Sequence, residues 1–591
     1  MMLTREWRQR KGTYDFAVVG SGYGGAILAA RISSANVTSQ KTVCLLERGK
    51  EWPIGNFPDT LPEVTAAVRH PFINPLGLYE FLPFEDISVI QGSGLGGTSL
   101  INANVAILPD DDVFHELPWP RTITLDELLP YYERAAKMLA ARPHPRAAEL
   151  LKVKALDRRA REIGKEAVGL NLAVNFHIDG TNAHGVEQKP CIDCGDCVTG
   201  CNVGAKNTLY MNYLPLAKNN GTDIFTQTQV DWLEKIADGG WRIHGRRFTP
   251  LGLPEKFTLD ARCVILSAGS LGTTEILLRS RLHGLSLSPR LGSSFTGNAD
   301  FFGLAYNSDY QTNVLGFGND PSSPWRANAP GPTIVGGIRY NVGIPLQQRI
   351  TLEDLSFPKA YVSAAMVAFG AMGGEDTDVG DEKNELARRL RNNPLAPYQA
   401  HNAMNHTMLY LVMGFDDARG TLYLRTNLLN PNGTLEIDWD DAGSQPVFTR
   451  INEEIRRHAR TLGAHFISDP LWSFMNLRRL VTAHPLGGCP VGEDYLHGAV
   501  DEFGRVFAGD GGIQKDLFVA DGSLIPSALG VNPFLTLSAL SERIADRLVR
   551  NLKGEPYPTR PVQVTVPEFS PLEAVRDPVM SSIRKGGSDE N

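Results

Sequence analysis

Apolar and polar positions follow three different periods along the chain. Over 14–50 an unbroken apolar run, FAVVG, enters a Gly-rich turn, a small-residue segment (AILAARIS) and a second apolar run, TVCLLERG. That order predicts strand, turn, helix and strand, a parallel βαβ unit. Over 259–280, LDARCVILSAG predicts a buried strand and SLGTTEILLRS the helix after it. Over 515–552, KDLFVADGSLI predicts a strand and turn, and PFLTLSALSERIADRLVRNL has the apolar spacing of a long helix. Elsewhere TMLYLVMGF and GTLYLRT alternate as antiparallel strands do, and 303–345 is rich in Pro, Gly and Asn. No repeat of twenty to fifty residues is present, which argues against a solenoid or propeller.

Chemistry enters with the glycines. Gly20-Ser21-Gly22-Tyr23-Gly24-Gly25 follows a predicted strand and opens a helix, the context in which GxGxxG signals a dinucleotide. Gly20 permits the tight turn, Gly22 lets backbone approach a pyrophosphate, and Gly25 permits close packing of helix on strand. The helix N-terminus then faces the phosphates. Glu47 stands 22 residues beyond Gly25, at the end of the second strand, where a carboxylate accepts from ribose hydroxyls and disfavours NADP. This unit alone leaves NAD and FAD open. A second run, Gln91-Gly92-Ser93-Gly94-Leu95-Gly96-Gly97-Thr98-Ser99-Leu100-Ile101-Asn102, decides for FAD, because so many bare amides can lie along a large planar ring.

Residues 14–48, 91–108, 264–280 and 519–540 together resemble the glucose-methanol-choline (GMC) oxidoreductase family. AHPLGGC at 483–489 and GVNPFLT at 530–536 are most similar to its bacterial cholesterol oxidase branch. The resemblance implies an α/β protein, α+β overall. A discontinuous Rossmann-type FAD-binding domain occupies 1–105, 205–300 and 480–553, the last part bearing the catalytic His and Asn. A cap region with a Cys-rich loop occupies 106–204. A substrate-binding domain with a mainly antiparallel sheet occupies 301–479, and 554–591 has the composition of a loosely held tail. FAD is expected to be non-covalent and to meet Gly20, Gly22, Gly25, Glu47, Gly92, Gly94, Gly96, Gly97, Thr98, Asn102, Val230, Ala268, Gly269, Asp521, Gly522, Asn532 and Pro533.

An alcohol loses its hydroxyl proton as the carbon-bound hydrogen leaves, so the flavin must face a proton acceptor. His484, on a loop constrained by Pro485, Gly487 and Gly488, is the candidate base. Asn532 is the candidate holder of the substrate oxygen. Followed by Pro533, it also suits a helix cap. The family places a His and an Asn at these motif positions on the substrate side of the flavin. Steroid oxidases of the branch place a glutamate ahead of the strand that reads TMLYLVMGF here, as a base that shifts the product's double bond. Met404, Asn405 and His406 stand there instead. With no carboxylate in view, oxidation without coupled isomerisation is expected; His406 is the alternative base at that place, its plainer reading being a surface residue at the start of a strand.

Cys191, Cys194, Cys197 and Cys201 have the C-x2-C-x2-C-x3-C spacing of bacterial ferredoxins, with Asn202 where ferredoxins have Pro. The spacing of Cys191, Cys197 and Cys201 is also similar to the three-cysteine cluster site of flavin-linked sugar dehydrogenases. Three readings stay open: iron–sulfur ligation, metal-free thiols that only pack, and disulfides or zinc.

The sequence has 591 residues, enough for more than one core, and a net charge of −8 without a basic stripe, which excludes nucleic acid as the natural partner. The charged start has no secretory leader, and the apolar run at 361–372 is too short to span a membrane, so cytoplasmic residence is the simplest reading. The expected function is oxidation of a hydrophobic, sterol- or terpenoid-like alcohol by hydride transfer to FAD, with oxygen or another acceptor taking the electrons. The alternatives are a flavin and iron–sulfur dehydrogenase with a non-oxygen acceptor, and a lyase or decarboxylase on the same scaffold. The oligomeric state has no signal in the sequence.

Overall fold

The computed structural model describes residues 2–35, 41–116, 118–249, 252–320, 322–473, 475 and 477–555. All but the first two residues of the tail expected at 554–591 lie outside these.

The βαβ unit forms as its pattern predicts. β1 (Thr13–Val19) leads through the first glycine run into α1 (Tyr23–Ala35), and β2 (Val43–Leu46) returns parallel to β1 with Phe16 opposite Val43. Both strands are buried on both faces where they pair, as continuous apolar runs in a covered parallel sheet require. α1 lies so close to the sheet that side chains are excluded along one edge: a Cβ on Gly24 would run into the Ala520 carbonyl, and one on Gly25 into that of Gly20.

The sheet grows from stretches far apart in sequence. β3 (Pro254–Leu266) pairs parallel with β1, Val19 opposite Leu266. On its other edge the first half of β3 runs antiparallel to the strand Trp241–Phe248, and its last residues run parallel to β4 (Ile513–Val519). The full order is Asp223–Phe225, β2, β1, β3, Trp241–Phe248 and Thr228–Lys235, with β4 and Arg505–Phe507 branching from β3. α2 (Gly269–Leu282) follows β3, and α3 (Phe534–Lys553) packs on α1.

A second, seven-stranded sheet is antiparallel throughout. Its order is Glu375–Asp376, His465–Ser468, Phe301–Tyr306, Met408–Met413, Ile350–Leu355, Gly336–Tyr340 and Val168–Gly169. The alternating segment TMLYLVMGF thus supplies a central strand. GTLYLRT does not join it: Thr421–Asn427 pairs with Asn430–Asp438 as a separate hairpin against α2. Period-two alternation reports one covered face, and here a helix covers it.

A small three-stranded sheet ties the two glycine-rich ends together. Ile87–Gly92, which runs into the second glycine run, pairs parallel with Leu480–Thr482, which runs into His484. No helix among the described residues is long and apolar enough to cross a membrane.

Candidate active site

The two glycine runs form one cradle. A Cβ on Gly97, itself at φ 56°, would lie 2.9 Å from the Gly22 Cα, so the runs meet backbone to backbone. Ser21 stitches them: its Oγ accepts from the Gly96 N–H at 2.9 Å and donates to Glu47 Oε2 at 2.5 Å. Glu47 also accepts from the Ser21 and Gly49 amides at 3.1 and 2.7 Å, which fixes the carboxylate at the end of β2. Asn102 donates to the Tyr23 hydroxyl at 2.7 Å, and the Tyr23 ring stacks on Phe534 at the start of α3.

The cradle fits a flavin dinucleotide. A Cβ on Gly22 would meet no protein atom within 4 Å, so this turn presents bare backbone to a ligand, and the same holds at Gly269. The Ser93 hydroxyl is buried without a protein partner. Gly92 closes its run by donating to Thr98 Oγ1 at 3.1 Å. Val230 is buried next to a bulge in its strand. Asp521 accepts from the Gly269 amide, Thr273 Oγ1, and the Ser523 amide and hydroxyl, so burial raises its carboxyl while four donors hold it. Ala268 precedes Gly269 at the N-terminus of α2.

His484 sits on a loop tied to the Asp521 turn through Gly487 N–H to the Gly522 carbonyl, 2.9 Å. Its Nδ1 lies 2.8 Å from Asp300 Oδ1. The other Asp300 oxygen accepts from Thr482 Oγ1 and the Ala483 amide, both at 2.9 Å. With Nδ1–H donated to Asp300, Nε2 carries the lone pair that a general base uses. The Asp300 side chain is fully buried, whereas His484 retains 15% exposure.

Asn532 is held from two directions. Asn298, at φ 58°, accepts from the Leu529 and Gly530 amides at 2.8 and 3.0 Å and donates to the Val531 carbonyl at 3.0 Å, fixing the loop just before it. The Asn532 Nδ2 donates to Glu353 Oε2 at 3.3 Å, while Asn532 Oδ1 and Glu353 Oε1 are both buried without protein partners. Both atoms are left available to a polar ligand. Burial pushes the Glu353 carboxyl well above its ordinary value, and the charges of Asp354 and Asp300 add to the rise. The segment Asn298–Asp300 therefore fixes the loops of both Asn532 and His484.

Three expectations change. Asn532 is not the helix cap: Pro533 takes that position, and the Asn532 amide turns to Glu353 instead. A carboxyl group does reach Asn532, from the neighbouring strand Ile350–Leu355 rather than from ahead of Met408–Met413. His406 is buried, donates from Nδ1–H to the Ser308 carbonyl at 2.9 Å, and is pushed down to about 4 by burial. It also lies at the wrong end of its strand. Met408 pairs with Ala305 and Val412 with Phe301, so His406 is some six residues, about 20 Å at strand rise, from the Asp300 end. Asp300, Asn298 and Glu353 carry no local motif. The only sequence trace of the first two is the run Gly297-Asn298-Ala299-Asp300 ahead of a strand.

Cys191, Cys194, Cys197 and Cys201 border one small cavity, and all seven cysteines are free thiols. Burial raises the thiols of Cys191, Cys194 and Cys197.

Two models of GMC oxidoreductases match the chain, one over 33–296 and one over 416–541, and the chain belongs to this family. It is an oxidoreductase acting on alcohols, and FAD is the cofactor its family implies. A cholesterol oxidase of Mycobacterium tuberculosis is 27% identical over 95% of this chain and 97% of its own length. A cholesterol oxidase of Acinetobacter baumannii is 26% identical over 90% and 93%. A long-chain-alcohol oxidase of Arabidopsis thaliana is 24% identical over 92% of this chain and 68% of its own. Among solved structures, a fungal aryl-alcohol oxidase shares the fold at a TM-score of 0.56 and 17% identity, over 92% of this chain and 100% of its own.

Proposed function

We propose that this protein oxidises a hydrophobic alcohol to the aldehyde or ketone, with His484 as general base and Asn532 holding the substrate oxygen. Bound FAD supplies the acceptor for the hydride that leaves the alcohol carbon. His484 Nε2 takes the hydroxyl proton, and Asp300 keeps the ring oriented and steadies the imidazolium that forms. The Asn532 amide is fixed through Nδ2 by Glu353 and by the loop that Asn298 pins, so the substrate oxygen meets a group that need not reorganise. The pyrophosphate and ribose of FAD fall to Gly20–Gly25 and Glu47, and the ring side to Gly92–Gly97 and the Asp521–Gly522 turn. The likeness to cholesterol and long-chain-alcohol oxidases supports an apolar substrate and oxygen as the terminal acceptor.

The observation that carries this reading is the single segment, Asn298–Asp300, that fixes both candidate loops at once. Anaerobic addition of sterols and long-chain alcohols to the flavin-loaded protein should bleach the flavin band, and admitting oxygen should restore it with one hydrogen peroxide per product. Product formed with the flavin band unchanged throughout would instead indicate a lyase on the same scaffold.

Glu353 favours a second reading, that the oxidation is coupled to a double-bond shift. Hydrogen-bonded to Asn532, Glu353 is the acid–base group that would move a proton beside the newly oxidised carbon once its carboxyl is ionised. A sterol with a double bond one carbon removed from the carbinol neighbour should emerge as the conjugated enone from the wild type and as the unconjugated ketone from Glu353→Gln.

A further inference from the structure

The four cysteines of 191–201 play no part in alcohol oxidation as derived above, yet the fold gathers them with care. Asp193, Gly195, Gly200 and Gly204 all adopt positive φ, from 63° to 107°, and these left-handed turns make the loop curl so that every cysteine borders the same cavity. A Cβ on Gly200 would run into the Phe57 ring, so that turn is filled from outside as well. The loop is anchored at Thr333, whose hydroxyl accepts from the Cys197 amide at 3.0 Å and donates to the Gly195 carbonyl at 2.8 Å. Val174, Ile192, Val203 and Ala205 supply apolar wall, and Asp59, Asp196, Asn202 and Asn319 complete the lining.

One cation lines this cavity without an ion-pair partner, while the Asp196 carboxyl on the same wall is held by the Gly318 and Lys359 amides. Lys206 is 2% exposed and donates to the Asn102 carbonyl at 2.6 Å and the Cys197 carbonyl at 3.0 Å. Among the described residues it has no carboxylate partner. A buried ammonium held only by carbonyls is costly unless an anion completes its surroundings. The groups next to it able to become anionic are the sulfurs of Cys197 and Cys201. Metal ligation turns thiols into thiolates and would supply that negative charge.

The sulfurs do not converge on one point. No three of them lie within 4.8 Å of one another. A single tetrahedral zinc holds its thiolates at about 2.3 Å and so within about 4 Å of each other. No pair is bridged as a disulfide. A cluster of several irons places its thiolates further apart than one ion does, and the C-x2-C-x2-C spacing of Cys191, Cys194 and Cys197 is that of an iron–sulfur loop, with Cys201 standing where two-cluster ferredoxins ligate their other cluster.

We propose that Cys191, Cys194, Cys197 and Cys201 ligate an iron–sulfur cluster, with Lys206 as its buried counter-charge. Through the Asn102 carbonyl, Lys206 also joins the cluster cavity to the end of the second glycine run. The inference concerns a different site from the alcohol-oxidising pair and stands or falls separately from it.

The test uses the full chain, purified without oxygen and reconstituted with ferrous iron and sulfide, then desalted. Iron and acid-labile sulfide should both reach about four per chain, and dithionite should bring up a low-temperature paramagnetic resonance signal distinct from a flavin radical. Cys197→Ser should lose that signal and most of the iron while the flavin-to-protein ratio stays at the wild-type value. Lys206→Met should keep the flavin and either lose the iron or move the cluster's reduction potential downward, because a buried cation favours the more negative reduced state. Stoichiometric flavin with iron below about half an atom per chain, zinc in place of iron, or a disulfide among the four cysteines would overturn the site. A Lys206→Met cluster with an unchanged potential would overturn the role of Lys206.

Discussion

Asp300 and His484, 184 residues apart in sequence, meet with Oδ1 2.8 Å from Nδ1, and the carboxylate's other oxygen holds the backbone just before the histidine. Asp300 is thereby a positioning residue with two tasks, choosing the imidazole tautomer and fixing the loop that carries it. His484→Gln should slow turnover by about 10²- to 10⁴-fold with flavin content unchanged, the range expected for loss of a general base. Asp300→Asn should lower kcat by about 10²-fold or more, because an amide at this place no longer enforces the tautomer with its lone pair on Nε2. Rapid-mixing measurement of flavin bleaching under anaerobic substrate separates this loss from weaker binding, and equal rates for Asp300→Asn and wild type would remove Asp300 from the mechanism.

The glycines of the first run differ in what a methyl group would meet, so they should fail in different ways. Gly22→Ala adds a Cβ that touches no protein atom within 4 Å, so the apoprotein should keep its melting temperature while flavin affinity falls at least tenfold. Gly24→Ala adds a Cβ that runs into the Ala520 carbonyl between α1 and the sheet, so it should yield little folded protein. Fluorescence titration of the apoprotein with FAD, beside thermal melts, distinguishes the two. A Gly22→Ala protein that binds FAD as tightly as wild type would show that the phosphates lie elsewhere.

The contrast explains what was legible in the sequence. The βαβ unit, β3 with α2, and the glycine runs rest on demands that act within a few residues, such as a left-handed turn at Gly20 (φ 95°) or a helix begun with its backbone bare. Local demands leave local patterns. His484 and Asn532 were visible because their loops are dense in Gly and Pro. Asp300 and Glu353 were not, because each matters only through register. Glu353 meets Asn532 across 179 residues, and it does so because strand pairing sets it opposite Leu411 on one side and Gly337 on the other. A glutamate inside ITLEDL gives no sign of that, and Met404–His406, ahead of the neighbouring strand, lie at the other end of the sheet.

Asn298 makes three buried backbone contacts with residues 529–531, and no other side chain donates or accepts at those particular groups in the described structure. Asn298→Ala leaves two N–H groups and one carbonyl unpaired, which should cost about 1–3 kcal/mol of stability. The same change frees the loop ahead of Asn532, so KM for the alcohol should rise and kcat fall while His484 and Asp300 are untouched. Denaturant melts and steady-state kinetics on one preparation check both. A variant destabilised as expected but kinetically normal would show that the loop holds its shape without Asn298.

Glu353 makes stability depend on pH with a determinable sign. Its carboxyl is fully buried and raised well above the ordinary 4.5, so the folded protein keeps the proton at pH values where the unfolded chain has already released it. Below about 4.5 both states are protonated and the group contributes no slope. Above that value the unfolded state binds fewer protons, so stability falls as pH rises, by up to about 1.4 kcal/mol per pH unit, until the folded-state carboxyl itself ionises. Glu353→Gln keeps the shape and an oxygen to accept from Asn532 Nδ2, and it has no proton to release. The variant should match the wild type near pH 4.5 and be the more stable of the two by pH 7. The difference between their denaturant midpoints, converted with a common slope and followed from pH 4.5 to 8, isolates this one group from every other titration. A difference that stays flat across that range would mean that Glu353 ionises in the folded protein much as it does in the unfolded chain, and that Asn532 faces a carboxylate rather than a carboxylic acid.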